Sequence, residues 1–504
     1  MKALYKRKGD VVELTDEGIK TIKKYSNNYS ESNKPTEINE RTWSVWTLSN
    51  LWIGILISVL VYQVTSSFIA LGMSWYMALF TAVLGHTLVM GVALLTGHFG
   101  TKYGLPYAMF TKAIFGPVGS IFPNLIRAIP GSFWFAIQAW IGGQALNSII
   151  KVIIPAWGNL GFWGVFIAFV IFAVFTAYVV AVGAKGIKLL ENGMAPILIV
   201  ISFIVILWGM STADWNITKL LSTEALQPDA TKNPWTVFFI SLSAMIAFDG
   251  AMVLSMSDFT RNLKTQKEQI LGQMIATPIM TGFIAFVGIV GTAGAEFAFN
   301  KEIWEPAVLV DQFDNGFVVV FFQLVILASI ITTNVGGNLV PPANIIAAMS
   351  ASFYKKISYT TATAVASIIG LFSIPWKTAT DPTSLVQEFL GILGAIIGPV
   401  SGIMLVSYLV VHKLDIDLVD LYKEKSGKYY YNKGWELGSI GIFSSLSIII
   451  IVSKYIPKIS FIYDNAFVLG TIMGSLLYYI YAKITKFDQQ YKLKEEVHSG
   501  DISD

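Results

Sequence analysis

From Trp46 onward, apolar runs of near-uniform length follow one another with short polar breaks. Each run is about 20 residues, enough for a helix to cross a hydrocarbon core of about 30 Å. About twelve can be counted, centred near Ile57, Val89, Ala139, Phe172, Val200, Ala247, Phe283, Val325, Ala366, Ala395, Ser445 and Gly470. The pattern predicts an all-α polytopic membrane protein. The third run reads as longer than a simple span, because Pro123, Pro130 and Gly131 sit where a helix would bend.

Lysine and arginine orient these spans. With the N-terminus inside, they collect in the N-terminal tail and in the loops around Lys102, Lys185, Arg261, Lys355 and Lys423, and again after Lys483. The opposite side holds few, among them Lys151, Lys219 and Lys301. The excess is roughly four to one, which places both termini in the cytoplasm and makes the number of spans even. Three segments follow: an N-terminal tail over 1–44, a transmembrane domain over 45–485 and a C-terminal tail over 486–504. The first segment is polar and lacks the apolar core of a secretory signal, and the plasma membrane is the expected location.

Composition agrees, with 54% hydrophobic and 13% charged residues and a mean hydropathy of +0.61. A net charge of +3 with no clustered basic face gives no sign of nucleic-acid binding. No obligate protein partner is expected, only lipid and a small solute. Cysteine is absent, which removes disulfides, thiolate metal sites and cysteine nucleophiles. The four histidines, His86, His98, His412 and His498, are scattered, and no HExxH, GxSxG or P-loop spacing occurs. The chain does not read as an enzyme, and no cofactor is expected. His86 and His98 fit helix contacts or proton sensing, with helix contacts favoured.

Polar residues at membrane depth carry the remaining information, because a charge at a helix centre costs about 2.5–3.5 kcal/mol on insertion scales. Asp249 lies mid-span beside Gly250 in SLSAMIAFDGAMVLSM. It reads either as a functional acid at a helix break or as a protonated or paired acid that joins two helices. Trp134 and Gln138 share one face of the third span, where an indole plane and an amide can hold a flat ring or simply pack. Arg127 reads as paired or snorkelling. In the eighth span Thr332, Thr333, Asn334 and Asn338 surround Gly336 and Gly337. Such uncharged oxygens suit Na⁺ if an irregular helix adds carbonyls, although threonines also bond back to their own helix. Gly54 is the candidate break in the first span.

The motifs RTWSVWTLSNLWIG, FWFAIQAWIGGQALN, SMSDFTRN, TTNVGGN and GPVSGIMLVSYLVVHKLDIDLVDLY with YYYNKGW, in that order, resemble the nucleobase:cation symporter-1 family. The resemblance implies the leucine-transporter fold: two inverted five-helix repeats, broken first and sixth helices, and two further helices at the end. It implies a secondary active transporter for a nucleobase or related small nitrogen heterocycle, coupled to Na⁺ or H⁺. By the family pattern, Trp134 stacks on the substrate ring, Gln138 bonds its edge and Asn338 contacts it. Phe248 and Ser58 fall at further substrate positions. The family cation site falls on the carbonyls of Gly54, Ile57 and Ser329 and the hydroxyls of Thr332 and Thr333. Two departures stand out. A second stacking tryptophan is replaced by Asp249, and a glutamine of some relatives by Ser58. The carboxylate suggests either a counter-charge to an amino-bearing or cationic ring, such as an aminopyrimidine or a vitamin precursor, or a proton carrier.

Overall fold

The apolar runs become helices whose ends are set by capping residues. The computed structural model describes residues 4–25, 33–182, 187–353, 357–423, 425 and 427–487. Nearly all of the expected C-terminal tail lies outside them. The N-terminal segment is folded: strands β1 (Tyr5–Lys8) and β2 (Val11–Leu14) form an antiparallel hairpin, and α1 (Asp16–Tyr25) follows. The first span is a pair, α2 (Val45–Leu56) and α3 (Val59–Ala70). The second is α4 (Trp75–Tyr103), closed by Gly104 at φ +68°. Helix α5 (Tyr107–Phe115) leads into α6 (Ile121–Ile153), which runs unbroken through Pro130 as the long third span. Then come α7 (Phe162–Val182), α8 (Ile187–Thr212) and the short α9 (Ile217–Leu221).

The sixth span is α10 (Pro234–Leu254) with α11 (Ser257–Thr260); Asn233 caps α10, and Pro234 at its first position loses no hydrogen bond there. A Thr265–Glu268 capping box starts α12 (Gln266–Met274), which continues as α13 (Ala276–Phe299). Beyond α14 (Pro306–Val310), the eighth span joins α15 (Gly316–Thr333), a π-helical turn over Asn334–Leu339 and α16 (Val340–Phe353). The rest comprises α17 (Tyr359–Gly370), α18 (Pro375–Thr378), a π-helical turn over Ser384–Leu390 leading into α19 (Gly391–Val406), α20 (Leu418–Tyr422), α21 (Leu437–Ser453), α22 (Phe461–Asp464) and α23 (Ala466–Ile484).

Eleven of the expected span centres fall inside these helices and the twelfth, Ile57, at the α2–α3 junction. Among the described residues, seven helices are long and apolar enough to cross a membrane, eight with the bent α2–α3 pair. Shorter apolar helices occur at Pro196–Thr212, Tyr359–Ser373 and Leu437–Ser453.

Glycine sets the closest approaches, because helices in lipid gain by packing backbone on backbone where no side chain intervenes. A Cβ on Gly143 of α6 would lie 2.5 Å from the Phe169 Cα of α7, and one on Gly402 of α19 would lie 2.2 Å from the Thr471 carbonyl of α23. The N-terminal segment is tied to one end of this bundle: Tyr5 bonds Asp417, and the buried Arg41 donates from Nη1 to the carbonyls of Thr101 and Leu263, at 2.6 and 3.0 Å. At the other end Lys151 pairs with Asp311 at 2.6 Å beside a cavity of about 260 Å³ lined by Gln144, Asn147, Ser148 and Trp157. There Gln144 donates to Glu305 at 3.3 Å. Burial pushes the Glu305 carboxyl from 4.5 up to about 7, against the lowering effect of the Gln144 bond.

Gly143→Ala should cost about 1–3 kcal/mol of stability, since the clash is with backbone that cannot rotate away. Gly91→Ala, where a Cβ meets nothing, should not lower the thermal midpoint in detergent. The folded state holds the Glu305 proton to higher pH than the unfolded chain does. Stability should therefore fall as pH rises from about 4.5 to about 7 and level off above. In thermal unfolding across that range, Glu305→Gln should remove this part of the slope.

Candidate functional site

The first span breaks at Ile57 and Ser58, where α2 and α3 meet at 50°. Gly54, expected as the break, lies within α2; the turn comes three residues later because Ser58 supplies an N-cap for α3. Two carbonyls leave the helical ladder as a result. The Ser58 N–H turns to the Leu56 carbonyl at 2.9 Å rather than to Gly54, and the Val61 N–H is taken by the Ser58 Oγ at 3.4 Å rather than by Ile57. The freed carbonyls are those of Gly54 and Ile57, the two first-helix oxygens of the expected cation site. The Ser58 hydroxyl, expected near substrate, is engaged in the cap.

Helix α3 packs against α15, which carries the other expected cation oxygens. Thr332 and Thr333 both donate to the Ser329 carbonyl, at 2.8 and 3.1 Å. A carbonyl has two lone pairs, so a cation bound there displaces one of these hydroxyls. The Ser329 Oγ is buried without a partner. Two freed carbonyls, two hydroxyls and an orphaned buried oxygen suit a hard cation such as Na⁺.

Next to this cluster stands the aromatic and amide face of α6. Trp134 and Gln138 are both buried. The Thr333 Oγ1 lies 3.1 Å from the Gln138 Oε1, so it joins the cation cluster to the substrate face. Asn334 donates to the Phe135 carbonyl at 3.1 Å, and Asn338 donates to the Asn334 Oδ1 at 3.2 Å. The π-turn brings these amides to α6, and Gly131 permits the approach, since a Cβ there would lie 2.7 Å from Pro342. Around Trp134, Phe248 and Phe389 stand nearly perpendicular to the indole, with centroids at 5.0 and 4.9 Å. Phe389 escapes sequence reasoning: nothing separates it from the other 32 phenylalanines until the π-turn of Ser384–Leu390 delivers it.

Asp249 does not mark a helix break. Helix α10 continues through Asp249 and Gly250 and is interrupted only at Ser255 and Met256. Gly250 serves packing instead, as a Cβ there would meet Ile397 of α19 at 3.1 Å and Phe467 of α23 at 3.2 Å. The Asp249 Oδ2 lies 2.9 Å from the His86 Nε2 of α4, with side chains 5% and 0% exposed. The contact is close, but the two atoms are not aligned as a hydrogen bond. On its other side the His86 ring places Nδ1 3.3 Å from the Ala82 carbonyl. Phe248 connects the pair to the ring site, with centroids 6.0 Å from His86 and 5.0 Å from Trp134. For His86 helix contacts were favoured over proton sensing, and its position opposite Asp249 is decided by the packing of α4 on α10.

Arg127 forms no ion pair among the described residues and does not snorkel. Its Nε donates to the Ser255 Oγ at 3.0 Å and its Nη2 to the Gly337 carbonyl at 3.2 Å. It thereby ties the third span to the interruption of the sixth and to the π-turn of the eighth.

Comparison with known proteins gives this arrangement its context. Residues 35–481 match the family described as permease for cytosine/purines, uracil, thiamine, allantoin. The chain is 29% identical to an allantoin permease of Bacillus subtilis over 92% of this chain and 96% of that one. It is 30% identical to a purine-uracil permease of Arabidopsis thaliana over 89% of this chain and 76% of that one. Mhp1 in its inward-facing conformation superposes with a TM-score of 0.77 at 20% identity, covering 94% of this chain and 98% of Mhp1. Its closed form with bromovinylhydantoin bound gives 0.74 at 21%, covering 93% and 98%. The interrupted first and sixth spans agree with the five-plus-five inverted repeat of the leucine-transporter fold. The protein is therefore a multi-pass membrane transporter and not an enzyme, and it belongs to the nucleobase:cation symporter-1 family of permeases for cytosine/purines, uracil, thiamine and allantoin.

Proposed function

We propose that the protein is a symporter that carries an allantoin- or nucleobase-like ring into the cell together with a cation. The observation that carries this reading is the buried face of α6 that holds the Trp134 indole and the Gln138 amide, with Thr333 of α15 in contact with Gln138 and the Asn338 amide bonded to Asn334 beside it. Trp134, flanked by Phe248 and Phe389, offers a flat apolar surface, and planar rings gain most by lying on such a surface. Gln138 and Asn338 address the polar edge of the ring; a site built to hydrogen-bond a heterocycle rejects analogues that leave its amides unpaired. Relatives named as allantoin and purine-uracil permeases support the ring class.

Transport then follows by alternating access about this site. The bundle of α2–α4 and α10–α13 rocks against the scaffold of α6, α7 and α15–α17, and the Arg127 contact to Ser255 crosses between the two bodies. Thr333 couples cation to substrate, since one hydroxyl touches both the Ser329 carbonyl and Gln138. Each ligand thereby raises the affinity for the other. The Lys and Arg excess supports both termini in the cytoplasm and residence in the plasma membrane. Of the two roles open to Asp249, its contact with His86 favours proton carrier over counter-charge to the substrate.

Purified protein in proteoliposomes should take up labelled allantoin, with uracil, hypoxanthine and hydantoin ranked by competition. Trp134→Ala should raise the half-saturation concentration by about tenfold or more, the loss of stacking plus buried area, while Trp134→Phe should recover part of it. Absence of uptake for every ring, or an unchanged half-saturation in Trp134→Ala, would refute the assignment. The double substitution Thr332→Val, Thr333→Val should weaken substrate binding only when the coupling cation is present. Thermal-shift titrations with and without Na⁺ and across pH read this directly; equal weakening in all conditions would remove these hydroxyls from the coupling.

A further inference from the structure

The pair formed by His86 and Asp249 has a proton count that its geometry restricts. The imidazole faces oxygen on both sides: the Ala82 carbonyl lies 3.3 Å from Nδ1 and the Asp249 Oδ2 lies 2.9 Å from Nε2. A backbone carbonyl only accepts, so Nδ1 meets it favourably when it bears hydrogen. Neutral imidazole has one N–H, and its Nε2 is then a bare nitrogen in close contact with a carboxylate oxygen, with no proton between them. A second proton resolves the conflict, as imidazolium beside carboxylate or as imidazole beside carboxylic acid. Both forms are net neutral. Without that proton a carboxylate charge stays buried between α4 and α10, at a cost of several kcal/mol.

We propose that His86 and Asp249 together form one proton-binding site, and that its proton is taken up and given back once in each transport cycle. The inference rests on the symporter reading above and adds a proton to the ions coupled in it.

Position suits the task. Both residues sit in the rocking bundle, on helices in close contact, since a Cβ on Gly85 of α4 would lie 2.7 Å from Met245 of α10. The pair therefore travels intact as the bundle moves. Phe248, adjacent to Asp249 and in contact with the Trp134 ring, gives substrate occupancy a mechanical route to the pair. On the packed elements the Tyr62 hydroxyl of α3 is buried beside Gly291 of α13 without a hydrogen-bond partner, and other ionisable groups are engaged elsewhere. Arg127 of α6 bonds Ser255 and Gly337, and Asp258 of α11 accepts from the Tyr107 N–H. Glu268 caps α12, Glu296 of α13 accepts from the Ala225 N–H, and Glu388 of the π-turn before α19 pairs with Lys377. Helix α19 carries no ionisable side chain, and those of α23 begin at Tyr478, well beyond its contact at Phe467.

Allantoin uptake into proteoliposomes, with and without an inward proton gradient at clamped voltage, tests the proposal. The wild type should be stimulated at least about fivefold by the gradient. In His86→Gln and in Asp249→Asn that ratio should fall to about one, whatever happens to the rate without a gradient. Wild-type uptake that ignores the gradient, or a ratio within about twofold of wild type in both variants, overturns the proton site and leaves the symporter reading standing. If no ring is transported, the symporter reading fails and a substrate-free measurement decides the pair. Nitrogen-15 NMR of histidine-labelled protein, with the His86 signal identified by its loss in His86→Gln, reads both ring nitrogens. Two protonated nitrogens, or Nδ1–H alone with an infrared carboxylic-acid band that Asp249→Asn removes, support the site. An Nε2–H tautomer beside an ionised Asp249 overturns it.

Discussion

Inside a bilayer a helix cannot release its backbone hydrogen bonds to water, so any interruption must be covered by the protein itself. The break at Ile57 and Ser58 obeys this constraint with one side chain. The Ser58 hydroxyl takes the Val61 N–H, the Ser58 N–H turns back to Leu56, and two carbonyls are left pointing away from the ladder. Exposed to lipid, those carbonyls would be prohibitively unstable. Freed beside a helix pair that packs on α15, they are oxygens available to the proposed cation. The same rule governs the π-turn at Asn334–Leu339, where the Gly337 carbonyl is met by Arg127 and the Asn334 amide by the Phe135 carbonyl. Irregular backbone at membrane depth is met here by nearby side chains, Ser58 at the first break and Arg127 at the π-turn.

Buried charge is subject to the same accounting. Arg127 spreads its guanidinium over a hydroxyl and a carbonyl, which solvate it without neutralising it, and so it binds three spans together. Asp249 is matched to a group that can gain a proton. A fixed cation opposite it would make a permanent structural pair, whereas a histidine makes a pair whose charge state can change. That difference separates a residue that holds two helices together from one that can take part in a transport cycle.

Much of the fold was legible beforehand, because the hydrophobic spacing of spans and the distribution of lysine and arginine are set by the bilayer rather than by contacts within the protein. Trp134, Gln138, Thr333 and Asn338 were legible as a group only through motif resemblance; their spacing alone permits ordinary helix packing equally well. Gly54 and Gly250 were misread as breaks. Gly54 is an ordinary position of α2, where a Cβ would meet nothing, and Gly250 serves close packing; sequence neighbours do not distinguish either from an interruption. At position 250 the neighbours that matter, Ile397 and Phe467, are far away along the chain. The hairpin and helix of the N-terminal segment were not legible, since a polar stretch gives no sign of the docking surface that folds it.

By itself the sequence determined a helical membrane protein, its family and the side chains available at the candidate site. These follow from composition and local order, which are properties of the chain as a string. Tertiary structure alone decided that Phe389 flanks Trp134, that the sixth span is interrupted beyond Asp249, and that His86 faces Asp249 at 2.9 Å. Each depends on the rotation and depth at which one helix lies against another. That setting is chosen by the packing of many side chains at once, so no single stretch of sequence records it.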